Sequence, residues 1–528
     1  MVVIFVDVHL GTYCIIAEWL YNQPAGSYLS RRVSRGCRLC ISLRKYRPLH
    51  QRSRPMRIAN ERTIPRQFRV CLLERNLYNL ADIAEKNGGN RAFGTPGYKA
   101  SSDYVLERAQ TRFSPEYDTT VQYFDHLYNE VRNISVTGPD GAAVAAVSLI
   151  YNPGTDDGPI KAPLIDTPVD GARGSACFED QWAGIDATDK LALVKRGTCA
   201  IADKLRLAKA HGAVGVILYN NQPGTPGSAT LGAESYGQIP PVATIQQSVG
   251  EAWKAKLAAG EEVLVELSID AVFEERQSWN IIAETKAGDP NNVIMLGAHL
   301  DSVQAGAGIN DDGSGTSVLM EIMTALRYYG GYANKVRFAW WGAEESGLVG
   351  SLYYTSNLTS EEADKIRFYI NLDMVASLDP DYQIYVGDNE GDEVGAGLLM
   401  GSLQGNGKTA ARYVAFGESS DYVGFRELGI PASGLHTGAT ADTDPCYHLA
   451  CDDLCNANLD ALTANGKAAA HAAATLALSL DGVPARRVGS SVNPRSRHAV
   501  RAQFLKWRRA AETATTHKSC AHTGDSRV

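Results

Sequence analysis

Three short apolar runs, VIMLGA (293–298), VRFAWW (336–341) and FYINLDM (368–374), constrain this chain more than any other feature. The first is a continuous apolar run of the buried-strand type found in parallel sheets, and the other two read as further strands. Between the first two lies TSVLMEIMTALRYYG, with Val318, Leu319, Ile322, Met323 and Leu326 at helical spacing and Gly330 at its end. After the second, LTSEEADKI opens a helix in which Thr359 and Glu362 are spaced as a capping box. YQIYVG follows as a further strand. Strand and helix alternating at this rhythm specify an α/β domain with a mostly parallel mixed sheet flanked by helices.

The rest of the chain is organised around that domain. A length of 528 residues exceeds one ordinary core. Residues 75–110 carry a helical pattern, with Leu77, Leu80, Ile83 and Ala84 on one face, broken by the turn-rich NGGNRAFGTPG. Residues 141–271 change character: β-type runs such as LALVKRG and AVGVILYNN alternate with turns around one helix, AIADKLRLAKAHG. We therefore expect a basic N-terminal extension over 1–71 and a main domain built from 72–140 and 272–485. An inserted β-rich module fills 141–271, and a basic, weakly structured tail covers 486–528. The extension is read as disordered, a pro-segment or a gene-model artefact.

The formal charge of −8 hides an asymmetry. Residues 1–70 carry thirteen Lys and Arg against three acids, and 486–528 carry ten against two, leaving 71–485 with 28 basic and 54 acidic groups. So acidic a body excludes nucleic acid held through phosphates, and no run is long and apolar enough for a membrane span. The N-terminus is no clean signal peptide, since it lacks a basic start and Asp7 and Glu18 interrupt its apolar run. Cys37 and Cys40 form a C-x-x-C with no second pair at zinc-finger spacing, which discounts them. Cys177 with Cys199, and Cys446 with Cys451, read as disulfides of an oxidising compartment, with free buried thiols as the alternative. Sequons at Asn133 and Asn357 agree with a secreted or vacuolar glycoprotein. Nothing in the sequence fixes the oligomeric state, and a monomer is favoured.

Chemistry concentrates at the strand ends. His299 and Asp301 follow VIMLGA, Glu344 and Glu345 follow VRFAWWGA, and Asp373 closes FYINLD. In open α/β sheets the carboxyl ends of the strands form the ligand crevice. Singly, each residue has a plain reading. Asp311 and Asp312 suit a turn and a helix cap, Glu344 and Glu345 a solvated loop tip, His299 a core position and His448 a surface turn. Jointly, imidazole and several carboxylates on one rim are the ligand set of zinc. Without a cation, so many acids in one crevice would force their pKa values upward.

The series His299-Leu-Asp301, Asn310-Asp311-Asp312-Gly313-Ser314-Gly315, Glu344-Glu345, Asn371-Leu372-Asp373 and Tyr447-His448 resembles the co-catalytic dizinc aminopeptidase family. That family includes secreted bacterial aminopeptidases and fungal leucine aminopeptidases of the aminopeptidase Y type. The resemblance implies two Zn2+ ions bridged by Asp311, one completed by His299 and Asp373, the other by Glu345 and His448. Asp301 would hold the His299 tautomer. Glu344 would be general base toward a water shared by the metals, and Tyr447 a donor to the oxyanion. Cys446–Cys451 would staple the loop carrying Tyr447 and His448. Residues 141–271 resemble a protease-associated (PA) domain. The implied function is a zinc exopeptidase that removes N-terminal, apolar residues from peptides with a free N-terminus. The alternatives are a carboxypeptidase of the same fold, an inactive peptidase-like binding protein and a one-zinc cyclase. Ser419 stands where some relatives have an arginine ahead of Ser420 and Asp421, and His436 reads as structural, with a place in the substrate pocket as the alternative.

Overall fold

The computed structural model describes residues 70–486, except 225, 227 and 228, and the backbone of the strands Val2–Val8, Gly11–Ala17, Ser42–Arg44 and Arg57–Ile58. The tail beyond Arg486 and most of the N-terminal extension, Cys37 and Cys40 included, lie outside the described residues. Within the extension, Val2–Val8 pairs antiparallel with Gly11–Ala17 and with Ser42–Arg44, and Arg57–Ile58 pairs with Tyr329–Gly330. The chain divides into two units. Of the described residues, the first holds 70–123, 279–344 and 350–486, and the second holds 124–278 and 345–349.

The sheet of the first unit runs in the order Arg412–Ala415, Gln383–Val386, Ala432–His436, Ile366–Leu372, Asp289–His299, Asn334–Trp341 and the end of Leu264–Thr285. Four of these pairings are parallel and two antiparallel, so the sheet is mixed but mostly parallel. Register places the site. Gly297 lies opposite Ala339 on one side and Asn371 on the other, so the three strands carrying the polar residues end nearly level.

Residues two apart on a strand share a face. Leu296, Ala298, Phe338, Trp340, Phe368 and Ile370 pack in one core with the helices Val70–Lys86, Gly313–Leu326, Asp392–Gly405 and Leu459–Leu478. The alternate positions put Trp341 and Tyr369 on the other face, against Tyr354 and Phe425. Helices therefore flank both faces. The helix Gly313–Leu326 departs from its expected single apolar face. It is buried nearly all round, Met320 and Glu321 included, because Val70–Lys86 and Leu459–Leu478 both pack on it. The helical pattern expected over 75–110 resolves into Val70–Lys86 and Pro96–Leu106, the latter opening with proline after the NGGNRAFGT turn.

In the second unit, Ile160–Asp166, Leu191–Lys195, Gly215–Tyr219 and Val242–Ile245 form a parallel set. Ala146–Val147 and the start of Leu264–Thr285 flank it antiparallel. Ala192, Val194, Val216 and Leu218 enter one core, and Leu191, Leu193, Ile217 and Tyr219 another, so these strands are buried on both faces. The helix Ile201–Ala210 lies where its pattern placed it, and Gln247–Ala258 is a second one. Cys177–Cys199 and Cys446–Cys451 are disulfides, as expected.

Candidate metal centre

Backbone geometry aims the site residues. His299 is the last residue of its strand, and Asp373 directly follows Ile366–Leu372. Glu344 comes after Trp341 through Gly342 and Ala343. Glu345 follows Glu344 directly in the sequence and belongs to the second unit. Ala343, Met374 and His448 all hold positive φ, at 57°, 51° and 57°. For residues with a Cβ this conformation costs about 1–2 kcal/mol each and persists only where the surroundings impose it. All three lie at or beside candidate site residues.

Asp311 is the centre of the arrangement. Its Oδ1 lies 3.0 Å from His299 Nε2 and its Oδ2 3.1 Å from His448 Nε2. Asp373 Oδ1 is 3.7 Å from the same His299 nitrogen. One ligand atom each from His299, Asp311 and Glu345 fall within 4.8 Å of one another, as do one each from His299, Asp312 and Asp373. Asp312 also caps the helix Gly313–Leu326, its Oδ1 accepting from Gly315 N at 2.8 Å, as its turn reading implied. Its Oδ2 is buried with no hydrogen-bond partner among the described residues. The peptide bond between Asp311 and Asp312 is cis, a feature with no sequence signal.

Asp301 meets the His299 ring through its main chain. His299 Nδ1 donates to the main-chain carbonyl of Asp301 at 3.1 Å, while the carboxylate Oδ1 stands off at 3.8 Å. That carboxylate instead accepts the Glu344 N–H at 3.1 Å. The tautomer freeing His299 Nε2 is therefore fixed by backbone, and the Asp301 side chain ties one strand end to the next. Tyr447 is exposed and its ring stacks on His448 at 3.9 Å. His436 Nδ1 donates to the Asp373 carbonyl at 3.0 Å. Ser419 Oγ lies 3.3 Å from the Tyr422 hydroxyl.

Asp452, Asp444 and Asn456 escaped sequence reasoning. Asp452 accepts the main-chain N–H groups of Asn310 at 2.9 Å and Asp311 at 3.0 Å. Asn310 donates to Asp444, and Asn456 donates to both Asp444 and Asp452, so the loop bearing His448 is tied to the loop bearing Asp311. On the other side, Trp341 Nε1 donates to Tyr369 (3.0 Å), Tyr369 to Asn371 (2.9 Å), Asn371 to Ser420 (2.8 Å) and Ser420 to Asp373 Oδ2 (2.5 Å). Indole is a donor only, so every link has a fixed direction. The spacing of an acid just after Cys451 was the one available signal for Asp452. In the donor chain, Asn371 stands in the motif series quoted above, while Trp341 and Tyr369 read only as strand residues.

Charge explains what this cluster demands. Burial alone would depress the His299 imidazolium, but Glu344, Asp311 and Asp373 override it and push its pKa well above the usual value. Burial would raise the Asp311 carboxyl, yet its hydrogen bonds to His299 and His448 hold it below the ordinary range. Asp312 is pushed well up by burial, with Asp373 and Asp311 adding to the rise. A buried cluster of acids so arranged calls for positive charge, and imidazole nitrogen with carboxylate oxygen suits zinc.

Known proteins resemble this chain over most of its length. The model of peptidase family M28 matches residues 280–473, and a PA domain model matches 160–253. Aminopeptidase Y of Saccharomyces cerevisiae is 35% identical over 436 residues, 78% of this chain and 78% of the relative. The solved aminopeptidase from Aneurinibacillus sp. strain AM-1 superposes with a TM-score of 0.66 at 26% identity, covering 81% of this chain and 98% of that one. A zinc aminopeptidase from Bacillus subtilis does so at 0.61 and 25%, covering 81% and 99%. Similarity of that extent, over both the site and the second unit, identifies the chain as a metallo-aminopeptidase of peptidase family M28 that carries a PA domain.

Proposed function

We propose that the enzyme binds two zinc ions and removes apolar residues from the free N-terminus of peptides. The observation carrying this reading is the pair of contacts at Asp311, each carboxylate oxygen facing a different histidine. A carboxylate so placed would serve two ions. His299 and Asp373 would complete one ion's ligands, and Glu345 and His448 the other's. Bound zinc supplies Lewis acidity toward a carbonyl oxygen and lowers the pKa of water.

The chain's own groups do the remaining work. Glu344, its N–H fixed by Asp301, takes a proton from the attacking water and returns it to the leaving amine. Tyr447 donates to the oxyanion from beside His448. The acids around the centre hold the substrate's α-ammonium, which restricts cleavage to the chain end. Exposed Tyr447 and Leu449 flank His448 and offer apolar surface to the N-terminal side chain. Disulfides and the exposed Asn133 and Asn357 sequons support a secreted or vacuolar glycoprotein. The sequence-based boundaries, 72–140 with 272–485 for the peptidase and 141–271 for the PA domain, go with this reading.

Hydrolysis of leucine p-nitroanilide tests it. Activity should vanish on chelation and return with zinc, and N-acetylation of the substrate should block cleavage. Equal rates on acetylated substrate would refute the N-terminal assignment.

A further inference from the structure

One buried cation behind the centre has no part in the reading above. Arg91 lies in the NGGNRAFGTPG turn and is fully buried. Its Nε donates to the Ala307 carbonyl at 2.8 Å, its Nη2 to that of Gly308 at 2.6 Å and its Nη1 to that of Leu300. Its main-chain N–H donates to Ser302 Oγ at 2.9 Å, and its carbonyl accepts from Ser302 N at 3.4 Å. All these bonds end within 300–308, the loop that joins His299 to Asp311. The fit is close at Gly308, where φ is +61° and an added Cβ would meet the Asp311 carbonyl at 2.3 Å and Arg91 Nη2 at 3.2 Å. From the far side, Asp452 holds the N–H groups of Asn310 and Asp311. A cation thus grips the loop's carbonyls and an anion grips its amides. A guanidinium reaches three carbonyls at once because its donors form a rigid planar fork, which a lysine ammonium lacks.

We propose that Arg91 is a positioning residue that pre-forms the loop between His299 and Asp311, so that Asp311 is in place before metal arrives. The proposal rests on reading Asp311 as a shared ligand. It makes the loop a property of the polypeptide and not of the bound ions. Removing the fork converts metal binding into coupled ordering and binding, and affinity falls by the share of molecules left disordered.

Amide hydrogen exchange of the full-length protein, with and without zinc, tests this, together with competitive zinc titration of Arg91→Lys. In the metal-free wild type, the amides of Ser302, Asn310 and Asp311 should stay protected to within about tenfold of the zinc-loaded protein. Arg91→Lys should lose that protection when metal-free, regain it on zinc saturation, and bind zinc about 10–100-fold more weakly, the span usual for residues supporting metal ligands. Free exchange of these amides in the metal-free wild type would overturn the proposal, as would unchanged zinc affinity in a folded Arg91→Lys. Should that variant fail to fold, the wild-type exchange result decides alone. If the wild type takes up no zinc at all, the dizinc reading fails, while exchange in the metal-free protein still judges Arg91.

Discussion

Tyr369→Phe removes one hydroxyl from the middle of the donor chain that runs from Trp341 to Asp373. Trp341, Tyr369, Asn371 and Ser420 are all buried, so no solvent replaces the lost partner. Two hydrogen bonds disappear, Trp341 to Tyr369 and Tyr369 to Asn371. Each is worth about 0.5–1.5 kcal/mol net, and leaving the buried indole N–H unsatisfied raises the cost of its loss to about 1–3 kcal/mol. The expected destabilisation is about 2–4 kcal/mol. The bonds Asn371 to Ser420 and Ser420 to Asp373 survive, so zinc affinity should fall by less than tenfold. Ser420→Ala should reverse the pattern, because it removes the donor to Asp373 itself, and supports of this kind typically carry about 10–100-fold in metal affinity. Gly297→Ala probes the same link, since its Cβ would lie 2.2 Å from the Tyr369 hydroxyl and 2.5 Å from Trp341 Nε1. Urea unfolding gives the stability change, and a zinc-indicator competition gives the affinity. Tyr369→Phe within 0.5 kcal/mol of the wild type (roughly the noise of surface changes) would show that the chain does not bear on the fold.

Glu344→Gln should keep its zinc and lose about 10²–10⁴-fold in kcat, the usual worth of a general base; turnover near wild type would assign the base elsewhere. Replacing Cys446 and Cys451 together with serine should cost about 2 kcal/mol, the loop-entropy value for so short a ring, and should lower activity through the His448 loop more than it lowers global stability in urea. Glu284 bonds Lys335 at 2.8 Å and Arg337 Nε at 2.8 Å. Burial alone would raise its carboxyl, but the two cations hold it below its usual value. Its contribution to stability is therefore present above the ordinary glutamate pKa and lost as pH falls through the lowered one. Glu284→Gln should flatten that acid limb in urea titrations, and an unchanged limb would refute the pairing.

Much of the architecture was readable because it follows local rules. The mostly apolar runs before His299, Glu344 and Asp373 are strands covered on both faces, and Thr359 caps its helix through the expected reciprocal bonds. Residues brought in from far along the chain were not readable. Arg91 and Asp452 each hold the Asp311 loop from more than a hundred positions away, by bonds to main-chain groups that carry no side-chain signature. Asp301 illustrates the same limit, since its carbonyl, and not the carboxylate the sequence displays, meets the imidazole. The helix Gly313–Leu326 appeared amphipathic because apolar spacing reports one face, whereas two further helices cover the rest.

The most direct measurement is a crystal structure of the active protein with anomalous data collected on both sides of the zinc edge. Two zinc peaks should flank Asp311, one beside His299 and Asp373, the other beside His448 and Glu345. A single peak, ions elsewhere, or full activity in metal-free crystals would contradict the shared-carboxylate centre.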